Sequence, residues 1–237
     1  MSKAAWPQRL VAETLGTALL LAVVVGSGIM GERLAGGNLA IALMGNSIAT
    51  GAALYALITT FGPISGAHFN PLVTLIELIE GKLPPRLAAA YVLCQFAGAV
   101  AGVFAAHAMF ELPVLSIAWS LTWLPSWLPS QHIRTGPAQW WSEVVATFGL
   151  ITVIFYCIKH KSDSIPAAVG LYITAAYWLT ASTSFANPAV TVARSLTDTF
   201  AGIRPIDVPG FIGAQCVGAA LGYLLYRWMF QRAKLAV

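Results

Sequence analysis

Two Asn-Pro pairs are the first candidates for chemistry. Asn70-Pro71 follows the small, polar peptide "GPISGAHF", and Asn187-Pro188 follows "TASTSFA". Each opens a stretch, 70–80 and 187–200, too short to cross a bilayer. Asparagine is a favoured helix N-cap, and proline in the first turn loses nothing, because its missing N–H would have had no partner. A helix N-terminus carries about half a positive elementary charge. Two such ends meeting at membrane depth repel cations and protons, while the amides of Asn70 and Asn187 offer N–H donors to a passing water or hydroxyl. Two carboxylates, Glu13 and Glu143, lie about one turn inside apolar stretches, where an acid is a functional candidate by default. An arginine, Arg194, arrives seven residues after Asn187.

Long apolar elements must position these groups. Of 237 residues 58% are hydrophobic and 9% charged, with mean hydropathy +0.75. Soluble domains carry about 25% charged residues, so the composition specifies a polytopic membrane protein. The net charge of +4 sits mostly at segment ends and implies no nucleic-acid partner. "MSKAAWPQRL" is too short and polar for a cleaved signal. Cys94, Cys157 and Cys216 each sit inside an apolar run and read as small buried hydrophobes. No metal-ligand spacing, paired acids or nucleophile–base pair is visible, so neither an enzyme nor a cofactor is expected.

A bilayer core of about 30 Å takes about 20 apolar residues in a helix. Six stretches qualify: 10–29, 39–61, 87–109, 140–158, 165–181 and 208–229. The two Asn-Pro stretches read as half-helices entered by extended peptide. The chain also repeats. "AETLGT" matches "SEVVAT", "FNPLVT" matches "ANPAVT", and "CQFAGAVAG" matches "AQCVGAALG", with offsets of 130, 117 and 120 residues. Each half, approximately 1–112 and 138–237 of a single channel domain, holds span, span, half-helix, span. An odd number of spans makes the second half insert upside down. Broken helices at matching places of an inverted repeat point to a solute path at the midplane. With both termini inside, the inner side holds nine Lys and Arg and the outer side four (Arg33, Arg134, Arg194 and Arg204). That bias favours cytoplasmic termini in a plasma (inner) membrane. The Gly98/Gly102 and Gly218/Gly222 pairs read as close helix crossings, and Trp119, Trp123 and Trp127 as an interfacial anchor.

With "SGAHFNPLVTL", "SFANPAVTVA" and the two glutamate-bearing helices in place, the chain resembles the aquaporin (major intrinsic protein) family over essentially its whole length. The resemblance implies an all-α membrane fold of six transmembrane helices plus two re-entrant half-helices meeting at paired Asn-Pro-Ala motifs, and a homotetramer with one pore per protomer. The motifs here are Asn70-Pro71-Leu72 and Asn187-Pro188-Ala189, with the bulkier Leu72 where the prolines would meet. It further implies that Glu13 and Glu143 support the re-entrant loops and that His68, the family's loop histidine, hydrogen-bonds backbone. Spacing back from the asparagines, the family's four filter positions fall on Thr50, Ala175 (or Ala176), Ser184 and Val190. That set holds no ring and no guanidinium, so a wide, arginine-free filter is expected. Val190, Arg194 and Asp198 are spaced by four and would share one helix face. Arg194 then faces the lumen, pairs with Asp198 on the vestibule wall, or faces protein.

"ANPAVTVARSLTDTFAGI" is similar to bacterial channels encoded with arsenic-resistance genes, which implies arsenous acid beside glycerol and water as solutes. Spacing alone supports a channel for small neutral solutes. An ion-coupled secondary transporter stays open, because inverted repeats and broken helices occur there too, and so does a predominantly water or glycerol channel.

Overall fold

The computed structural model describes residues 4–112 and 129–231. Trp119, Trp123 and Trp127 lie outside the described residues. Among the described residues are eight α-helices and no strand: α1 (Trp6–Leu34), α2 (Leu39–Ser65), α3 (Pro71–Ile79), α4 (Pro85–Met109), α5 (Pro137–His160), α6 (Ile165–Leu179), α7 (Pro188–Arg194) and α8 (Val208–Gln231). Prolines open the first turns of α1, α3, α4, α5, α6 and α7, where the ring pre-sets φ and removes a donor that had no acceptor.

Among the described residues five helices are long and apolar enough to cross a membrane: α1, α2, α4, α5 and the one built on α8. The expected span over 165–181 is shorter. α6 has 15 residues, about 22 Å of rise, with a 3-10 turn before it and extended backbone from Thr180 after it. α3 and α7 are the two half-helices, of nine and seven residues. α7 stops at Arg194, well before residue 200. Beyond it the Ser195 hydroxyl bonds back to the Val192 carbonyl and the Ser195 carbonyl accepts from the Ser130 amide. This turns the chain away from the helix axis.

The inverted repeat is written in the packing. α1 lies on α4 and α5 lies on α8, while α2 meets α6 across the centre. Glycines set the closest of these approaches. A Cβ on Gly98 would overlap the Thr14 carbonyl, and one on Gly218 the Val144 carbonyl. Between α2 and α6, a Cβ on Gly51 would come within 2.7 Å of the Gly170 carbonyl, and one on Gly170 within 2.5 Å of the Gly51 carbonyl. These two glycines stand 119 residues apart, repeat mates packed on each other. Cys94 and Cys157 are half-buried, whereas Cys216 is exposed on the outward face of α8, contrary to the burial expected of it. α3 runs from the centre toward the side of the chain ends, and α7 runs from the centre toward the opposite side, here called distal.

Candidate functional site

The site begins with backbone that a helix would not tolerate. In the two entering loops Ala67 and Phe69 have φ of 49° and 48°, and their mates Ser184 and Ala186 have 50° and 49°. Left-handed backbone costs an L-residue about 1–2 kcal/mol each and leaves amides and carbonyls unpaired along the chain. A membrane supplies no water to satisfy them. The glutamates satisfy the amides, since a carboxylate only accepts. Glu13, fully buried, accepts from Ser65 Oγ at 2.6 Å, the His68 and Phe69 amides at 3.0 and 2.9 Å, and Gln95 Nε2 at 2.8 Å. Glu143, also fully buried, accepts from Ser182 Oγ at 2.5 Å, the Phe185 and Ala186 amides at 2.9 Å each, and Gln215 Nε2 at 2.7 Å. The glutamines bond onward to Thr74 and Thr191 in the half-helices. Four donors converge on each carboxylate at mirrored positions, so each holds its loop's shape.

The asparagines then lock the loops to each other. Asn70 Oδ1 caps α3 by accepting from the Leu72 amide, and Asn187 Oδ1 caps α7 by accepting from the Ala189 and Val190 amides. Asn70 Nδ2 donates to the Ala186 carbonyl at 2.8 Å, and Asn187 Nδ2 donates to the Phe69 carbonyl at 2.7 Å. Each cap therefore crosses to the other loop. A primary amide has two N–H bonds, and both asparagines line the central cavity, so one hydrogen of each remains for a solute. Leu72 does not open this junction. It is buried against Val73, Ile76, Ile151 and Phe155, off the axis. The ring of His68 bonds the Thr74 hydroxyl at 3.1 Å instead of a backbone group; its main-chain amide is what Glu13 holds.

The cavity is about 690 Å³. One wall is apolar, with Leu20, Val24, Leu54, Leu150, Ile154 and Ile173 on it; the re-entrant loops supply the polar track. Thr50, Ser184 and Val190 line it, as the spacing predicts. Ala175 does not: it is exposed on the far face of α6, and buried Ala176 lies off the lumen as well. Tyr177 lines the cavity instead, its hydroxyl 3.2 Å from Thr50 Oγ1. The count back from Asn187 was two residues too long, because the chain after α6 runs extended. Two residues are about 200° of helix rotation, which turns a lumen position to the outside.

Arg194 also lines the cavity while being only 1% exposed. Its guanidinium lies 3.4 Å from the centroid of the Phe185 ring, and Nε donates to the Ala201 carbonyl. The lumen is therefore free of neither rings nor arginine. The spacing pair with Asp198 does not form: Asp198 lies past the end of α7, and its carboxylate accepts from the Gln131 amide. Among the described residues the salt bridges are Lys82–Glu77 and Arg204–Asp207.

Sequence reasoning missed Arg134. It arrives from the 129–136 loop, is buried, and donates to the Gly202 carbonyl at 2.7 Å and the Ser182 carbonyl at 3.0 Å. Its guanidinium lies 5.0 Å from the Phe185 centroid. Burial pulls this guanidinium down to about 10 and the Glu143 charge opposes that, so it stays cationic at neutral pH. Neighbouring His132 is held below its ordinary value by burial first and then by the Arg134 and Arg194 charges, against Asp198. No local motif announced Arg134; only its position in a mostly apolar chain singled it out.

The model of the major intrinsic protein family matches residues 1–179. Aquaglyceroporin AqpS of Rhizobium meliloti is 54% identical over 227 residues, covering 96% of this chain and 92% of that protein. Aquaporin Z of Bradyrhizobium diazoefficiens is 26% identical, covering 94% and 93%. Among solved structures, the aquaglyceroporin from Plasmodium falciparum superposes with a TM-score of 0.70 at 20% identity, covering 98% of this chain and all of that one; this last likeness speaks for the fold. A buried asparagine junction between two half-helices, loops held by paired glutamates and matches of this extent together show that the chain belongs to the major intrinsic protein family, a membrane channel for small neutral solutes and not an enzyme.

Proposed function

We propose that the chain is a passive channel for small hydroxylated solutes: water, glycerol and neutral metalloid hydroxides such as arsenous acid. The observation that carries this reading is the crossed pair Asn70–Ala186 and Asn187–Phe69, which presents two amide donors to a cavity whose opposite wall is apolar. A solute of hydroxyls keeps its hydrogen bonds on the polar track. An ion meets two helix N-termini and an apolar wall that cannot replace its hydration shell. The 54% identical relative is an aquaglyceroporin, which supports glycerol; arsenous acid follows the resemblance of 186–203 to arsenic-resistance channels. The distal filter of this reading is Thr50, Tyr177, Ser184 and Val190, with Val190 leaving room that a long side chain would take. We further propose one channel domain with repeat halves 1–112 and 138–237, a homotetramer in the plasma membrane, and cytoplasmic termini. The distal arginines support that orientation: Arg134 and Arg194 are buried and Arg204 is paired with Asp207, leaving fewer free cations on the distal face.

Stopped-flow flux of water, glycerol and arsenous acid through reconstituted protein tests the proposal. Flux of all three, unaffected by a pH or sodium gradient, is the expected result. Strict gradient dependence means a coupled carrier. Val190→Arg places a second guanidinium one turn, about 5.4 Å, inside Arg194. Its glycerol and arsenous acid fluxes are expected to fall about tenfold or more, equivalent to about 1.4 kcal/mol of added barrier, with water less affected. Unchanged glycerol flux in that variant would remove Val190 from the filter.

A further inference from the structure

The inner ends of α3 and α7 are fixed by the asparagine caps and by the bonds Gln95–Thr74 and Gln215–Thr191, each glutamine lying in the same half as its half-helix. Helices of nine and seven residues fall below the length of about 12–15 at which a helix is even marginal alone, so their outer ends need holding too. They are held from the opposite halves. Glu80 is the C-cap of α3 in the first half, and its Oε1 accepts from the hydroxyl of Tyr223, on α8 in the second half, at 2.6 Å. Thr197 lies three residues beyond α7 in the second half, and its Oγ1 is 2.7 Å from Nε2 of His107, in the last turn of α4 in the first half. Both His107 and Thr197 are buried. The two contacts are repeat mates. Glu80 and Thr197 stand 117 residues apart, the offset that relates the half-helices. The 120-residue offset that relates α4 to α8 carries His107 to position 227, one turn beyond Tyr223 and on the same face. None of the four residues lines the cavity.

We infer that Tyr223 and His107 are positioning residues: each clamps the outer end of the opposite half's half-helix, and together they set the separation of the Asn70 and Asn187 donors at the pore centre. The inference rests on the channel reading above and names groups outside the pore that tune it. The lever is short and stiff. α3 is about 13 Å long, and its apolar side, Leu72, Val73 and Ile76, packs on Ile151, Phe155 and Tyr223 of the second half. A rod that rocks on such a seat moves both ends by similar amounts. Asn70 Nδ2 reaches the Ala186 carbonyl at 2.8 Å, and N–H···O bonds fade beyond about 3.2 Å, so a few tenths of an ångström at Glu80 is felt at the junction. The Tyr223 ring is itself held in place, edge-on to Phe155 at 6.5 Å between centroids and with the Arg227 guanidinium 5.9 Å from its centroid. On the distal side Thr197 Oγ1 is also 3.1 Å from Thr199 Oγ1, which ties the clamp into the chain beyond α7. The separation matters most for a polyol. Hydroxyls on adjacent carbons accept from both asparagines at once only while the two amides keep their spacing, whereas a single water shifts to suit either.

The test measures glycerol and water permeabilities in proteoliposomes of the full chain. Their ratio does not depend on how many pores have folded, and the thermal transition in detergent reads stability separately. Tyr223→Phe keeps the ring and loses the hydroxyl; it is expected to lower the glycerol-to-water ratio about fivefold, the factor that one net hydrogen bond corresponds to. Glu80→Leu removes the acceptor and is expected to match it, with no further fall in the double variant. Glu80→Gln keeps an oxygen that accepts from the tyrosine and is expected to hold the wild-type ratio. Thr197→Val, close in shape and without the hydroxyl, is expected to lower the ratio as Tyr223→Phe does. Where Tyr223→Phe yields no conducting pores, Glu80→Leu breaks the same bond from the partner that is less buried. A bond that serves stability alone lowers the thermal transition and leaves the ratio untouched, and that result in Tyr223→Phe or Thr197→Val overturns the positioning role. So does a fall in Glu80→Gln as large as in Glu80→Leu, which would mean that the charge matters and the clamp does not. A wild-type protein that passes water and no glycerol refutes the solute range proposed above instead.

Discussion

Glu143→Leu is expected to leave little folded protein in the membrane. The substitution removes one acceptor group that serves four donors: the Ser182 hydroxyl, the Phe185 and Ala186 amides, and the Gln215 amide. None of the four has water at hand, since Glu143 is fully buried. An orphaned buried donor costs about 1–3 kcal/mol. Even the lower figure for the two loop amides alone takes a large share of the about 5–15 kcal/mol by which folded proteins are held. The left-handed residues Ser184 and Ala186 then lose what holds them. Glu143→Gln keeps one acceptor oxygen but turns an N–H₂ group toward donors, and should fall between wild type and leucine. The same ranking is expected at Glu13, whose donors are Ser65, His68, Phe69 and Gln95. Yield of monodisperse protein in detergent and its thermal transition measure the effect. A wild-type transition for Glu143→Leu would mean that the loop holds its shape without the carboxylate.

Gly98→Leu is the second large effect. A Cβ there overlaps the Thr14 carbonyl of α1, and the obstacle is backbone, which has no rotamer to change. α1 and α4 must part along their contact. Overpacking a core costs about 1–3 kcal/mol and occasionally more. Parting these helices also drags Gln95, one turn away on α4, off Glu13. The expected result is a loss of more than about 3 kcal/mol, read as a fall in the thermal transition and in flux per protein. Gly45→Leu is the control, because a Cβ there meets nothing within 4 Å; it should behave as wild type. Equal behaviour of the two leucine variants would refute the close-approach account.

Some of this molecule is local chemistry and was legible as such. The Asn-Pro pairs specify helix starts, because the cap and the missing N–H act within four residues. The glutamates announce themselves because an acid in an apolar run needs partners. Membrane class follows from composition, and the inverted order of the halves from counting spans. Less of the pore wall was legible. Thr50, Ser184 and Val190 were found by counting along rigid or fixed-length segments, and Ala175 was misplaced by counting across an extended loop. Asp198 was misjudged for the same reason, since a four-residue spacing means a shared face only while the helix continues, and α7 ends at Arg194.

The sequence by itself therefore determined the half-helices, the asparagines that cap them, the acids that support them and the two-fold repeat, because each rests on residue types interacting within a turn or two. Only the tertiary structure decided that Tyr177 and not Ala175 meets Thr50, that Arg194 turns into the lumen onto Phe185, and that Arg134 comes from a distant loop to bond the Ser182 and Gly202 carbonyls. Those facts depend on the rotational phase of each helix and on contacts across 48 to 68 residues of chain, which a pattern of neighbours does not encode.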